Sequence, residues 1–278
     1  MYSENEKLKK VQVAEKKILQ YFDAICNQYG LSYYICGGTL LGAVREGGFI
    51  QWDDDADVMM PRKDYEWLRA HKNEILNDKY KLYDYTVDND AIPRRMPELR
   101  DETIKVIYHQ GNKERKQYVM LDIFLLDGMP KGKVAIFFHY YKWLFLRMLL
   151  QLSWYDETVN QYKANRPLWE RCIIWILNKT RFRPSIDQRE IMLKEDRLLK
   201  KYSLDNSDYV CSLYGPFKKK EILPRSFFEE KIRLSFEDIE LWAPKMYHEE
   251  LTHYYGNYMI PPNNLNEREL HHRIEICE

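Results

Sequence analysis

The stretch that decides the fold of this chain joins GGTLLG at residues 37–42 to WDDDADVMM at residues 52–60. A glycine-rich turn is followed by four aspartates within five residues, set in otherwise apolar sequence. Carboxylates at this density repel each other and cost desolvation energy unless a cation joins them. Oxygen ligands of this kind suit a hard divalent ion, so the stretch predicts Mg²⁺, with Mn²⁺ as the alternative.

The aspartates are expected to lie on a strand that covers residues 49–60. On a strand alternate side chains share a face, so Asp53, Asp55 and Asp57 are expected on one side and Asp54 on the other. A metal-dependent enzyme that acts on a phosphate compound is therefore the first hypothesis.

Asp122 is the second unusual residue, because it interrupts the strongly apolar run of residues 118–126. A lone carboxylate in such a run is expensive to bury without a partner. If its strand lies beside the aspartate strand, Asp122 completes a metal site with Asp55 and Asp57. A hydrogen-bonded structural aspartate is the other interpretation. The Asp-Gly pair at 127–128 is expected to be an ordinary turn.

Composition limits the classes of function. Of the 278 residues, 45% are hydrophobic and 14% aromatic, which is enough for a core and argues against disorder. The 43 basic and 43 acidic residues cancel, so no nucleic-acid partner is predicted. The five cysteines lack CxxC spacing and the N-terminal residues are charged, which predicts reduced thiols and a cytoplasmic protein.

Hydrophobic periodicity predicts the other elements. Helices are expected over 4–29, over 40–46 with Thr39 as the cap, over 63–76, and over 187–202 as a charged, solvent-facing helix; strands are expected over 32–36, 80–87 and 98–108. The simplest organisation is one domain, with a catalytic core at 1–130, a helical insertion at 131–210 and a closing segment at 211–278.

Two aromatic-rich segments, 134–152 and 168–177, lie in the expected insertion. The first also carries His139, Lys142 and Arg147, and interior charges of this kind are rare in a spanning helix. Amphipathic helices are expected instead. Two interpretations stay open: two core helices, or a pair that contacts the membrane surface and reaches a lipid-linked substrate.

The motifs resemble the LicD family. The resemblance is carried by GGTLLGAVR at 37–45, GFI at 48–50, WDDD at 52–55, MPR at 60–62, DY at 64–65, LDIF at 121–124, DG at 127–128, FE at 236–237 and YG at 255–256. It departs from the family pattern at Glu46 and Gln51. The resemblance implies an α+β fold, a nucleotidyltransferase-like mixed β-sheet flanked by helices.

The same resemblance implies a reaction. The LicD family is associated with phosphocholine transfer to bacterial lipopolysaccharide and teichoic acids, and its distant relatives fukutin and fukutin-related protein transfer ribitol phosphate. The expected donor is a CDP-activated alcohol such as CDP-choline, and the expected acceptor is a hydroxyl of a cell-surface glycan. Asp55, Asp57 and Asp122 are the expected metal ligands, and Asp53 is a further ligand or the general base.

Phosphate binding is expected at the glycine turn and at three arginines. Gly37 and Gly38 let backbone N–H groups approach phosphates, and Thr39 follows them at the start of a helix. Arg45, Arg62 and Arg100 are candidates for direct phosphate contacts, because a guanidinium matches phosphate oxygens. For Arg45 and Arg62 a structural salt bridge is the alternative.

Two competing functions are compatible with parts of this pattern. Transfer of a nucleoside monophosphate to a small-molecule or sugar acceptor would use the same acids and the same glycine turn. A non-catalytic protein with structural Ca²⁺ is disfavoured, because the aspartates lack the EF-hand loop spacing.

Overall fold

The computed structural model describes residues 4–85, 95–110, 113–153, 187–261 and 273–277, and four single residues between 171 and 179. Within these residues the α-helices with described bounds are α1 (Glu4–Tyr29), α2 (Gly37–Arg45), α3 (Arg62–Ile75), α4 (Lys133–Ser153), α5 (Gln188–Leu199) and α6 (Tyr247–Tyr255). Its strands are β1 (Tyr34–Ile35), β2 (Asp57–Pro61), β3 (Tyr80–Tyr83), β4 (Glu98–Gln110), β5 (Lys113–Gly128), β6 (Tyr209–Cys211), β7 (Ile222–Pro224), β8 (Lys231–Phe236), β9 (Ile239–Pro244) and β10 (Arg273–Cys277).

The strands form a mixed sheet and a separate hairpin. The main path is β1-β2-β5-β4-β10, with β3 paired to β4 and with β6 joining β5 to β7. Strands β2 and β5 are parallel, and the other pairs in the sheet are antiparallel. Strands β8 and β9 pair with each other. A mixed sheet flanked by helices confirms the predicted α+β class.

The central strands separate two hydrophobic clusters. Val58 and Ile123 belong to the large core, whereas Met59 and Leu126 belong to a smaller one. Since alternate residues of a strand face opposite sides, Asp57 shares the face of Met59. The parallel register pairs Asp57 with Asp122, which places both acids on this same face of the sheet.

The chain divides into two compact units, Met1–Met129 with Tyr202–Glu278, and Pro130–Lys201. The division of the chain into a core, an insertion and a closing segment stays a prediction. Within the second unit α4 packs against α5, and the Trp143 indole donates a hydrogen bond to Glu195 at 2.7 Å. The expected helix over 168–177 lies outside the described residues, apart from Arg171 and Trp175.

Helix α4 exposes an apolar stripe on the side away from Trp143. Its members are Val134, Phe137, Phe138, Tyr141, Phe145 and Met148. They recur at the three- and four-residue spacing that keeps side chains on one helical face. Among the residues described, no helix combines the length and apolar character needed to cross a membrane.

Several boundaries differ from the sequence predictions. Residues 49–56 are not a strand, since β2 begins at Asp57, where its pairing with β5 begins. The Asp-Gly pair at 127–128 ends strand β5 and pairs with β6 instead of forming a turn. The charged helix α5 is not simply solvent-facing, because Ile191 and Leu199 on one side are buried.

Candidate active site

Three aspartates lie together in the loop that precedes β2. Asp53 and Asp54 are buried and Asp55 is exposed, and one carboxylate oxygen from each lies within 4.8 Å of the others. The expected strand alternation was wrong here, because residues 53–56 are in a loop and Asp54 does not point away from its neighbours. The loop thus brings three carboxylate side chains together, and Asp57, the fourth aspartate of the motif, follows at the start of β2.

Asp57 and Asp122 extend this group onto the sheet. They are register partners on β2 and β5, and the Asp122 N–H donates to the Ala56 carbonyl at 3.0 Å. Burial raises the pKa of Asp57 well above its usual value, and the charges of Asp55, Asp122 and Asp53 raise it further. The predicted ligands Asp55 and Asp122 therefore act electrostatically on the third, Asp57, and the binding of a metal by the three stays a prediction.

The glycine turn is packed directly against these carboxylates. A Cβ on Gly37 would lie 2.9 Å from Oδ2 of Asp57, and a Cβ on Gly38 would lie 2.5 Å from Oδ2 of Asp53. Gly37 also has a φ of +55°, a conformation that L side chains rarely adopt. Glycine is needed at both positions, because any side chain would displace an aspartate.

Thr39 fixes the start of β2 instead of capping α2. Its Oγ1 accepts a hydrogen bond from the Asp57 N–H at 2.8 Å, and it is buried inside the helix. The N-cap position is taken by Cys36, which makes no side-chain capping bond. The predicted cap at Thr39 was wrong, since the helix begins two residues earlier, at Gly37.

Glu15 is a member of the site that the sequence analysis missed. It lies on α1, is 2% exposed, and its Oε2 has no hydrogen-bond partner. Burial raises its pKa well above the usual value, and the charges of Asp55, Asp54 and Asp53 raise it further. The available signal was a glutamate on the apolar face of α1.

Gln12, one turn before Glu15, anchors the aspartate loop to α1. Its side-chain amide donates to the Asp53 carbonyl at 2.9 Å and to the Ile50 carbonyl at 3.3 Å. The loop is therefore held at both ends, by α1 near Asp53 and by strand pairing at Asp57.

Asp53 is a buried carboxylate whose surroundings oppose its ionisation. It is 8% exposed, and its Oδ2 has no hydrogen-bond partner. Burial, followed by the charge of Asp55, raises its pKa to about 8, and nearby Arg45 opposes the rise. A carboxylate in this setting gains most from a cation, because a bound positive charge offsets both burial and repulsion.

The three arginines expected to contact phosphate have other partners in the structure. Arg45 pairs with Glu46 at 2.8 Å, and Arg62 binds both oxygens of Asp127 at 2.8 and 2.6 Å. Arg62 thus forms a salt bridge to an aspartate, and the predicted phosphate contacts of Arg45 and Arg62 stay predictions.

Arg100 is also engaged. It lies 3.1 Å from Glu98 and stacks over the Tyr83 ring at 4.0 Å from the centroid. Glu98 is in turn the register partner of Asp122 on the neighbouring strand. Arg100 therefore belongs to the same face of the sheet as Asp122, and its predicted role in phosphate binding stays a prediction.

A cavity of about 140 Å³ lies beside Asp57 and the glycine turn. Its walls include Phe217, Glu221, Glu250 and Tyr254, none of which the sequence analysis assigned to the site. The available signal was Glu250 followed four residues later by the aromatic pair that begins at Tyr254, a spacing that places both on one face of α6.

Together these elements form a carboxylate-rich site on the central strands of a mixed sheet, next to a glycine turn that starts a helix. The family model described as "LicD/FKTN/FKRP, nucleotidyltransferase domain" matches residues 30–128, the segment that contains this turn and all five aspartates. Lipopolysaccharide cholinephosphotransferase LicD of Haemophilus influenzae is 29% identical over 275 residues, which cover 95% of this chain and 96% of that protein.

Two further relatives are uncharacterized proteins of Rickettsia. The one from Rickettsia prowazekii is 29% identical over 46% of this chain and 46% of its own length, and the one from Rickettsia typhi is 32% identical over 31% and 28%. The family model over residues 30–128 and the similarity to the Haemophilus protein over nearly the whole chain support membership of the LicD family.

Proposed function

We propose that this chain is a transferase that moves phosphocholine from CDP-choline to a hydroxyl of a bacterial surface glycan of the lipopolysaccharide type. The observation that carries the proposal is the similarity to the Haemophilus cholinephosphotransferase over 95% of the chain. The carboxylate cluster beside Gly37 and Gly38 supports a reaction at a phosphate group. Teichoic acid is the alternative acceptor.

The residues present fit a hard divalent cation, Mg²⁺ or Mn²⁺. The donor set is made of carboxylate oxygens, and Oδ2 of Asp53 is buried with no hydrogen-bond partner. Asp55, Asp57 and Asp122 would hold the ion, and Asp53 would be a further ligand or the general base. When bound, the ion would neutralise negative charge on the donor pyrophosphate and on the departing CMP.

The protein itself positions the groups that would contact the donor. Backbone N–H groups at Gly37 and Gly38 would face the donor phosphates at the start of α2. Strand pairing holds Asp57 beside Asp122, so two carboxylates keep a fixed separation while the donor binds. Positioning of this kind supplies much of the rate enhancement in phosphoryl transfer.

The test is a product analysis with purified full-length protein, CDP-choline, Mg²⁺ and an acceptor lipopolysaccharide that lacks phosphocholine. Phosphocholine on the glycan and free CMP in solution support the proposal. The matched variants are Asp57→Asn, expected to be inactive, and Asp78→Asn, an exposed aspartate expected to behave like wild type.

The second candidate is transfer of a nucleoside monophosphate, favoured by the nucleotidyltransferase description of the matching family model. The same assay separates the two, because nucleotidyl transfer leaves CMP on the acceptor and releases phosphocholine. Nucleotide found covalently on the glycan would replace the first proposal with the second.

The apolar stripe of α4 supports peripheral contact with the inner face of the cell membrane, where a lipid-linked acceptor and a cytoplasmic CDP donor can meet. Phe137 and Phe138 are 50% and 67% exposed, and aromatic side chains at such positions bind the lipid interface. Sedimentation of the purified chain with liposomes tests this part.

A further inference from the structure

The cavity beside Asp57 combines aromatic walls with buried negative charge. The Phe217 ring stacks on Tyr254 at 4.8 Å between centroids and an interplanar angle of 29°, and meets Tyr255 edge-on at 5.5 Å. Glu221 is 5% exposed and Glu250 is 1% exposed. No lysine, arginine or histidine is among the residues described as lining the cavity.

The two glutamates are held differently. Glu221 accepts from the Phe217 N–H at 3.0 Å and from the Tyr254 hydroxyl at 3.1 Å. Oε2 of Glu250, in contrast, has no hydrogen-bond partner in the structure. Burial raises the pKa of Glu250 to about 8, and the charge of Glu221 raises it too. A cation in the cavity would stabilise both carboxylates.

We propose that this cavity binds the trimethylammonium group of choline, which deepens and rests on the proposed function. Aromatic faces attract a quaternary ammonium electrostatically, and a desolvated carboxylate adds to that attraction. An ammonium that carries methyl groups donates no N–H bond, so it needs ring faces and negative charge instead of acceptors at fixed angles.

The size and the position of the cavity agree with this ligand. Cavities of roughly 150 Å³ accept benzene, and a trimethylammonium group has fewer heavy atoms than a benzene ring. The cavity is about 140 Å³ and is bounded by Gly37, Gly38 and Asp57. The cationic end of the donor would thus lie beside the turn and the carboxylate proposed to handle its phosphates.

The same walls disfavour a polyol. A ribitol or glycerol group carries several hydroxyls, each of which needs a hydrogen-bond partner once it leaves water. Oε2 of Glu250 can accept from one hydroxyl, but Phe217, Phe124 and Met59 offer no partner to the others. The cavity therefore selects choline among the alcohols that this family is expected to transfer.

The test compares choline with its neutral isostere 3,3-dimethylbutan-1-ol, both titrated into the full-length chain and followed by ligand-observed NMR. The wild type is expected to bind choline about tenfold more tightly or better, because the two ligands differ mainly in charge. Tyr255→Leu and Glu250→Gln are expected to reduce the preference several-fold. Tyr255→Phe keeps the ring and Glu249→Gln removes an exposed charge of the same helix, so both should retain it.

Equal binding of the two alcohols to wild type, or a preference unchanged in both Tyr255→Leu and Glu250→Gln, would overturn the proposal. Glu250→Gln preserves side-chain volume and keeps the test valid if Tyr255→Leu does not fold. The transfer assay separates this proposal from the proposed function. A choline preference without phosphocholine transfer would reject the proposed function and support the cavity, whereas transfer with equal binding would reject the cavity.

Discussion

Buried carboxylates in the same sheet have two kinds of surroundings. Asp127 at the end of β5 is 2% exposed and is held on both oxygens by Arg62. Asp57, on the neighbouring strand, has its pKa raised by burial and raised further by the charges of Asp55, Asp122 and Asp53. The first acid is compensated within the fold, and the second is surrounded by groups that oppose its ionisation.

This difference distinguishes acids that stabilise the fold from acids that are proposed to act in the reaction. A buried ion pair keeps its geometry without any ligand, and removal of one partner leaves an uncompensated charge. A crowd of carboxylates costs stability until a cation arrives, so folding alone gives no reason to keep it. We therefore propose that the Arg62–Asp127 pair stabilises the fold and that the aspartates around Asp57 take part in the reaction. Each proposal can be tested separately.

The largest effect is expected from Arg62→Gln. Loss of the guanidinium leaves Asp127 buried without its partner, so the free energy of unfolding should fall by about 3–5 kcal/mol. Urea unfolding followed by circular dichroism measures it. Arg225→Gln removes an exposed pair with Glu229 and should cost about 1 kcal/mol or less. An unchanged stability with a raised KM for the donor would instead make Arg62 a phosphate ligand.

The next effect falls on turnover and concerns the other group of acids. Asp57→Asn and Asp55→Asn should each lower kcat by at least ~10²-fold, because a charge-stabilising group is lost from the reacting site. Stability should not fall, since neighbouring carboxylates lose a repulsive charge. Steady-state kinetics with Asp78→Asn as the control gives the measurement, and two fully active variants would place the metal elsewhere.

Part of this distinction between the two groups of acids could be predicted from the sequence. The apolar run at 118–126 marks β5 and makes Asp122 conspicuous, and the glycine turn marks the start of α2. The strand limits could not be predicted, because β2 begins only where β5 offers a partner, at the Asp57–Asp122 register. That pairing, and not local periodicity, leaves Asp53, Asp54 and Asp55 in a loop.

Contacts between distant parts of the chain could not be predicted from the sequence either. Gln12 reaches the aspartate loop from 41 residues away, and Arg62 reaches Asp127 across 65. Glu15 looked like one more charge on a long helix, and its burial depends on how α1 packs. The motif predicts which acids form the site, whereas the fold determines which acids have a cationic partner.

A smaller effect links pH to the crowded acids. The pKa of Asp53 is raised from 3.8 to about 8, so the folded chain holds this proton more tightly than the unfolded chain does. The metal-free protein should therefore lose stability as pH rises from about 4 to about 8. Asp53→Asn should recover roughly 1–3 kcal/mol at pH 8 and almost nothing at pH 4.

Thermal unfolding at both pH values, with EDTA and with Mg²⁺, measures this. Added Mg²⁺ should stabilise wild type more at pH 8 than at pH 6, because binding requires ionised carboxylates and releases protons. If Asp53→Asn retains the full Mg²⁺ effect but loses turnover, Asp53 is the general base. If the Mg²⁺ effect is lost as well, Asp53 is a ligand. A stability that rises with pH in the metal-free wild type would contradict the crowding argument.

The smallest effect concerns helix α4 of the second unit, Pro130–Lys201. If the α4 stripe contacts lipid, replacement of Phe137 and Phe138 by serine should weaken liposome binding at least about tenfold, because each phenyl ring contributes about 1.5–3 kcal/mol when fully buried. Leu193→Ser, on exposed α5 surface, is the matched control. Turnover on a detergent-dispersed acceptor should stay unchanged in the double variant, since the carboxylate group is intact. Equal binding of wild type and variant to liposomes would remove the membrane from the proposal and leave the chemistry of Asp57 where it is.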